Sequence, residues 1–114
     1  MNNEFYVVDY YISKSIDNAA LSILTSGHQI CEPKWLWGPG IRDMYLLHYV
    51  KTGRGIYQVN GKTYSLKAGD VFIIYPNTLV SYLADMEDPW EYYWVGFKGS
   101  MVKSLFFNTD FSPE

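Results

Sequence analysis

The side chains in this sequence that could do chemistry are few. Two histidines (His28, His48), one cysteine (Cys31) and four neighbouring carboxylates (Asp85, Glu87, Asp88, Glu91) are the candidates for acid–base, nucleophilic or metal work. A metal site needs nitrogen and carboxylate ligands converging at about 2.0–2.2 Å on one ion. His48 sits inside MYLLHYV with no histidine two residues away, and after Pro76 stand Val80, Ser81 and Tyr82. No metal and no cofactor are therefore expected, with His48 a strand histidine making one hydrogen bond and His28 a loop residue. Glycosidases work with paired carboxylates, but Asp85, Glu87 and Asp88 crowd a turn around Pro89, where short acidic side chains cap and solvate the backbone. No Gly-x-Ser-x-Gly, His-Glu-x-x-His or phosphate-loop motif occurs. A lone cysteine cannot form an internal disulfide; Cys31 reads as a small buried residue in a reducing compartment.

Flat rings offer a different chemistry. Residues 88–99 read DPWEYYWVGFKG. A pyranose has C–H faces that stack on indole or phenol rings, and hydroxyls that need partners such as Arg, Tyr, His or backbone groups. Side chains alternate along a strand, so Trp90, Tyr92 and Trp94 share one face and Tyr93, Val95 and Phe97 the other. The first face is expected to line an interior, with Trp90 close to the turn, and the second to pack behind the wall. Trp35 and Trp37 fall in 31–39, read as an irregular, proline-punctuated loop, and are candidates for a pocket mouth. Arg42 either brings its fork of donors to that pocket or pairs with Asp43 or Asp85 at the surface.

These groups must be positioned by a chain of 114 residues, 48% hydrophobic and 18% aromatic, which is one compact domain. Nine basic residues against twelve acidic give a net charge of −3, and the basic ones are scattered, which excludes a phosphate-binding stripe on this segment. The N-terminus has no basic region before an apolar run, and no segment approaches the ~20 apolar residues of a membrane span, so a cytoplasmic location is expected. Residues 1–18 show no sustained period and read as an arm whose Phe5, Tyr6, Tyr10 and Tyr11 need a surface to cover them. A short strand is expected over about 19–24. MYLLHYV is a strand closed by TGRG; IYQV and KTYSL meet across Asn60-Gly61, a type I′ hairpin pair. KAGD is a second glycine turn, VFIIY stops at Pro76-Asn77, and LVSYLAD precedes the aromatic strand. About seven or eight short antiparallel strands on so small a chain close into an all-β barrel or jelly roll, whose lumen suits a small ligand.

The order GRGIYQVNGKTYSLKAGDVFIIYPNTLVSYLAD followed by PWEYYWVGF resembles the N-terminal sensor domain of AraC-type transcriptional regulators, especially sugar-responsive ones, in a likeness that covers about residues 42–99. The resemblance implies a cupin-like double-stranded β-helix that binds an effector, usually a sugar. It also implies a homodimer, and DNA contact only through a helix-turn-helix domain absent from this chain. The division it suggests is an arm at 1–18, the barrel at 19–100 and the start of a linker or dimerisation helix at 101–114. Trp94 matches the tryptophan that lies against the sugar in the family's arabinose-responsive member, and Tyr82 matches another pocket position. Where that member carries a sugar-binding arginine, this chain has Trp37-Gly38-Pro39, with Arg42 a little later. The ligand-binding candidates are thus Trp94, Tyr92, Tyr82, Arg42, Trp37, Trp35 and His48, with no catalytic residue. A metal-free cupin enzyme, such as a sugar epimerase or isomerase using a His–Tyr or Lys–Tyr pair, is the alternative.

Overall fold

The computed structural model describes residues 7–11 and 22–99, which form nine strands in two antiparallel sheets. The larger sheet runs β1 (Val7–Tyr11), β2 (Ser22–Ile30), β9 (Glu91–Lys98), β4 (Tyr45–Thr52), β7 (Val71–Ile74) in spatial order. The smaller runs β3 (Leu36–Ile41), β8 (Leu79–Ala84), β5 (Arg54–Val59), β6 (Lys62–Lys67). The hairpin forms where Asn60-Gly61 placed it: φ is 52° and 74° at the two residues, both positive as a type I′ turn requires. Gly69 turns KAGD at φ 94°, and the Lys67 amide donates to Asp70 Oδ2 at 2.8 Å.

Three elements differ from the sequence-based expectation. The stretch read as an arm contributes a strand, β1, whose backbone pairs with β2 from Val7–Gln29 to Tyr11–Thr25. Phe5, Tyr6 and the helix expected after residue 100 lie outside the described residues. The strand expected to stop at Leu24 continues to Ile30, because Thr25, Gly27 and Gln29 alternate inward with Ser26, His28 and Ile30. His28 is therefore a strand residue and not part of a loop. The supposed loop 31–39 gives way at Leu36 to β3, which tolerates Pro39 because it is an edge strand and breaks register between Trp37 and Gly40.

The inner faces of the sheets meet in one apolar core. At one end Val50, Tyr57, Phe72, Ala84 and Trp90 fill the space. Trp90 is fully buried, stacks on Phe72 at 5.6 Å, and lies over Gly55, where an added Cβ would stand 2.5 Å from the indole. A second cluster occupies the outer face of the larger sheet: Tyr45, Ile73 and Phe97 with Leu47, Tyr75 and Val95. Val95 and Phe97 thus pack behind the wall as alternation requires, whereas Tyr93 is 42% exposed.

Gly55→Ala tests the Trp90 end. Overpacking an interior typically costs about 1–3 kcal/mol, and the upper half of that range is expected, because the neighbour is a rigid indole. Ser65→Ala on exposed β6 should stay within about 0.5 kcal/mol of wild type. Urea midpoints compare them; equal midpoints would show that the indole yields.

Candidate functional site

At the other end the sheets leave a cavity of about 240 Å³, lined by Thr25, Gln29, Trp35, Trp37, Arg42, Met44, Leu46, His48, Tyr82, Tyr92 and Trp94. All seven candidates from the sequence are brought together on its wall. Alternation on β9 sends Tyr92 and Trp94 inward, with Trp90 inside the same barrel but packed at the closed end, away from the cavity. Cross-strand pairing then places His48 beside Trp94 and Trp37 beside Tyr82.

The loops are pinned by backbone bonds. The Ala84 amide donates to the Trp35 carbonyl at 2.9 Å, and the Asn77 amide to the Arg42 carbonyl at 2.8 Å. These fix the two rim segments over the opening. Trp37 stacks on Tyr82 at 5.5 Å and 12°, and the Arg42 guanidinium lies over the Trp37 ring at 4.0 Å. Arg42 Nη2 also reaches the Tyr82 hydroxyl at a long 3.5 Å. The surface pairing entertained for Arg42 does not occur, since Asp43 is 3.5 Å from Lys98 and Asp85 is 3.2 Å from Arg54.

Deeper in, the Tyr92 hydroxyl donates to Gln29 Oε1 at 3.0 Å, and His48 stacks on Phe72 at 4.5 Å. His48 departs from the expected one-bond strand histidine: its Nδ1 is buried without a partner. Arg42 Nε is likewise buried and unpartnered. Such an atom forgoes about 1–3 kcal/mol until something meets it. Burial, and then the Arg42 charge, lowers the His48 pKa to about 3. Burial also raises the Tyr82 and Tyr92 phenols, and pushes the thiol of buried Cys31 up to about 12. At neutral pH Arg42 is therefore the single charge among the residues lining the cavity.

Charged groups elsewhere sit outside it. Asp85 Oδ2 accepts the Glu87 and Asp88 amides at 3.0 Å each, the turn-capping role expected, and these bonds hold its carboxyl below the usual range. Glu91 is on the outer face, bonded to His28 at 2.6 Å and near Lys51 and Thr52. Among the described residues no three His, Cys, Asp or Glu side chains gather to hold a metal ion. With one imidazole and no carboxylate, the residues lining the cavity do not fit one.

Thr25, Gln29, Met44 and Leu46 were not foreseen. The first two were legible as the alternation Thr25-Gly27-Gln29, which has the period of a strand without its hydrophobicity.

Fold and cavity define a two-sheet barrel of the cupin kind with a partly open pocket at one end. A cupin 2 conserved barrel domain protein from Salinispora arenicola superposes with a TM-score of 0.65 at 18% identity, covering 90% of this chain and 83% of that one. Oxalate decarboxylase from Bacillus subtilis gives 0.64 at 16%, over 88% and 27%. At these identities the likeness is one of fold. The chain belongs to the AraC-like ligand binding domain family, whose model matches residues 18–110. It is 34% identical over 99 residues to the Msm operon regulatory protein of Streptococcus mutans, covering 87% of this chain and 36% of that protein. It is also 34% identical over 103 residues to the raffinose operon transcriptional regulatory protein of Pediococcus pentosaceus, covering 89% and 35%. A lactose operon transcription activator from Staphylococcus xylosus is 40% identical over 57 residues, half of this chain and 20% of that protein. The chain thus spans about a third of the length of the first two relatives.

The His48 environment has a pH signature. The folded ring stays neutral down to about pH 3, whereas an unfolded imidazole protonates near 6.5. Below about pH 6.5 the unfolded state binds the extra proton, so stability falls as pH falls, by up to about 1.4 kcal/mol per unit, until the folded ring titrates. His48→Gln is expected to remove that slope in urea unfolding between pH 4 and 6.5; an unchanged slope would show that His48 titrates normally.

Proposed function

We propose that this chain is the effector-sensing part of a cytoplasmic transcriptional regulator of carbohydrate-utilisation genes, and that its effector is a mono- or oligosaccharide held in the cavity. One observation carries the reading: flat rings of Trp94, Trp37, Tyr82 and Tyr92 surround a pocket whose lining also carries the polar atoms of Arg42, Gln29 and His48. Rings suit the C–H faces of a sugar, and the polar atoms suit its hydroxyls. The relatives are regulators of operons, two of them named for raffinose and lactose. In this reading residues 1–18 serve as an arm, 19–100 as the sensing barrel and 101–114 as the start of a linker or dimerisation element. DNA is contacted by another part of a homodimeric protein.

Binding is favoured over turnover by the state of the pocket groups. Catalysis by a His–Tyr pair needs a base poised near the working pH. Burial keeps the His48 ring from accepting a proton and the Tyr82 and Tyr92 phenols from losing one. Among the residues lining the cavity this disfavours the acid–base pair that an epimerase or isomerase needs.

A thermal-shift screen of mono-, di- and trisaccharides tests the proposal, because a ligand at 100 times its Kd adds about 2.7 kcal/mol to stability. Trp94→Ala is expected to weaken binding of any hit at least ten-fold, while Tyr93→Ala, on the outer face against His28, leaves it within two-fold. Equal losses would remove Trp94 from the site, and a screen without hits would remove the sugar.

A further inference from the structure

Gly96 follows Trp94 by two residues on β9 and faces the same interior. Its direct neighbours across the sheet are Thr25 on β2 and Leu46 on β4. Both lean over the space that a side chain at 96 would take. An added Cβ would stand 2.6 Å from Thr25 Cγ2, 2.7 Å from Met44 Sδ and 3.1 Å from Leu46 Cδ2. Thr25, Met44 and Leu46 all line the cavity. With the sheet behind them, the free volume into which they could retreat is the cavity itself.

The cavity has little to spare. At about 240 Å³ it lies just below the usual range of ligand pockets, about 300–1,000 Å³, a size that suits one six-membered sugar ring. Its polar groups, Arg42, Gln29, His48 and the tyrosine hydroxyls, can meet ring hydroxyls. Of the lining residues that stand in front of Gly96, Met44 and Leu46 offer carbon and sulfur, and Thr25 a methyl and one hydroxyl. A hexopyranose has an edge of that mixed kind at C5, where the exocyclic carbon bears one hydroxyl.

We propose that Gly96 is a specificity-determining residue: by bearing no side chain it lets Thr25, Met44 and Leu46 lie back against β9, leaving room for one hexopyranosyl ring including its exocyclic carbon. The inference rests on the sugar reading above and adds to it a size class and the residue that limits it. A longer saccharide is then read by a single ring, the remainder leaving past Trp35, Trp37 and Arg42. Any side chain at 96 narrows the pocket at the exocyclic edge and shifts preference from hexosides to pentosides.

The test uses two matched pairs of methyl glycosides in the full-length protein: D-galactoside with L-arabinoside, and D-glucoside with D-xyloside. Within each pair the ring stereochemistry is the same and only the exocyclic hydroxymethyl group differs. Calorimetric titration of Gly96→Ala should show at least ten-fold greater loss of affinity for the hexoside of a pair that binds than for its pentoside. Adding Met44→Ala to that variant makes room for the new methyl and should restore hexoside binding. Equal losses within a pair, or loss that the second substitution does not relieve, would overturn the proposal. If Gly96→Ala does not fold, Met44→Ala alone decides: it should strengthen binding of the 6-O-methyl hexoside relative to wild type, and an unchanged affinity would be fatal. A wild-type protein that binds none of the four glycosides would refute the sugar reading itself, which is distinct from a wild type that binds while its variants keep the same ratio.

Discussion

The barrel depends on how two facing sheets, whose backbones stand about 10 Å apart, fill the space between them. Large rings do most of the filling, and each needs an absence opposite or beside it. Trp90 fits because Gly55 has no Cβ to meet its indole. Trp94 pairs across the sheet with Gly27 on one side and His48 on the other. Trp90 and Trp94 stand four residues apart, yet the first completes a closed core and the second borders a void. The difference lies in what faces them: Phe72 stacks on Trp90, whereas the rim over Trp94 comes from the Trp35–Trp37 and Arg42–Met44 segments. The cavity is the part of the core that the chain itself does not finish.

The same burial governs the electrostatics. Removing water from the His48 ring and the tyrosine phenols disfavours their charged forms, so the pocket is polar but nearly uncharged. Charges are sorted to the outside, where Glu91 meets His28 and Lys51, Asp85 meets Arg54, and Asp43 meets Lys98. Exposed pairs such as Asp43 with Lys98 add little to stability, and the Glu91–His28 pair is part-buried. Arg42, paired with none of these carboxylates, can offer guanidinium donors to the oxygen atoms of a ligand.

The sequence made legible whatever was written in strong local signals. Asn60-Gly61 specified its turn, the β-branched run 71–74 its strand, and two-residue alternation on β9 sorted Trp94 from Tyr93. Family resemblance brought in Tyr82 and, through the displaced arginine, Arg42. The missing parts were the polar half of β2 and the proline-bearing β3. Gly, Thr, Ser and Gln give no hydrophobic period, and Pro39 reads as a breaker unless its strand is known to be an edge. Both strands are held by pairing to partners distant in sequence, β2 to β9 and β3 to β8, which no local window contains. Thr25 and Gln29 were lost with that strand.

That overlooked strand has a structural consequence. Among the described strands, β2 alone both lines the cavity and pairs with β1. Its inward residues Thr25 and Gln29 face the pocket while its far edge carries the backbone ladder to Val7–Tyr11. Under the proposed reading a ligand in the unfinished core would contact β2 and β9, and the energy available to favour one placement of the N-terminal segment over another would be limited to the ligand's preference between them, typically ~1–3 kcal/mol. An edge strand of five residues would suit so small a coupling: among the described strands its backbone pairs with β2 alone, so a change in its placement would leave the other strand pairings of the two sheets in place.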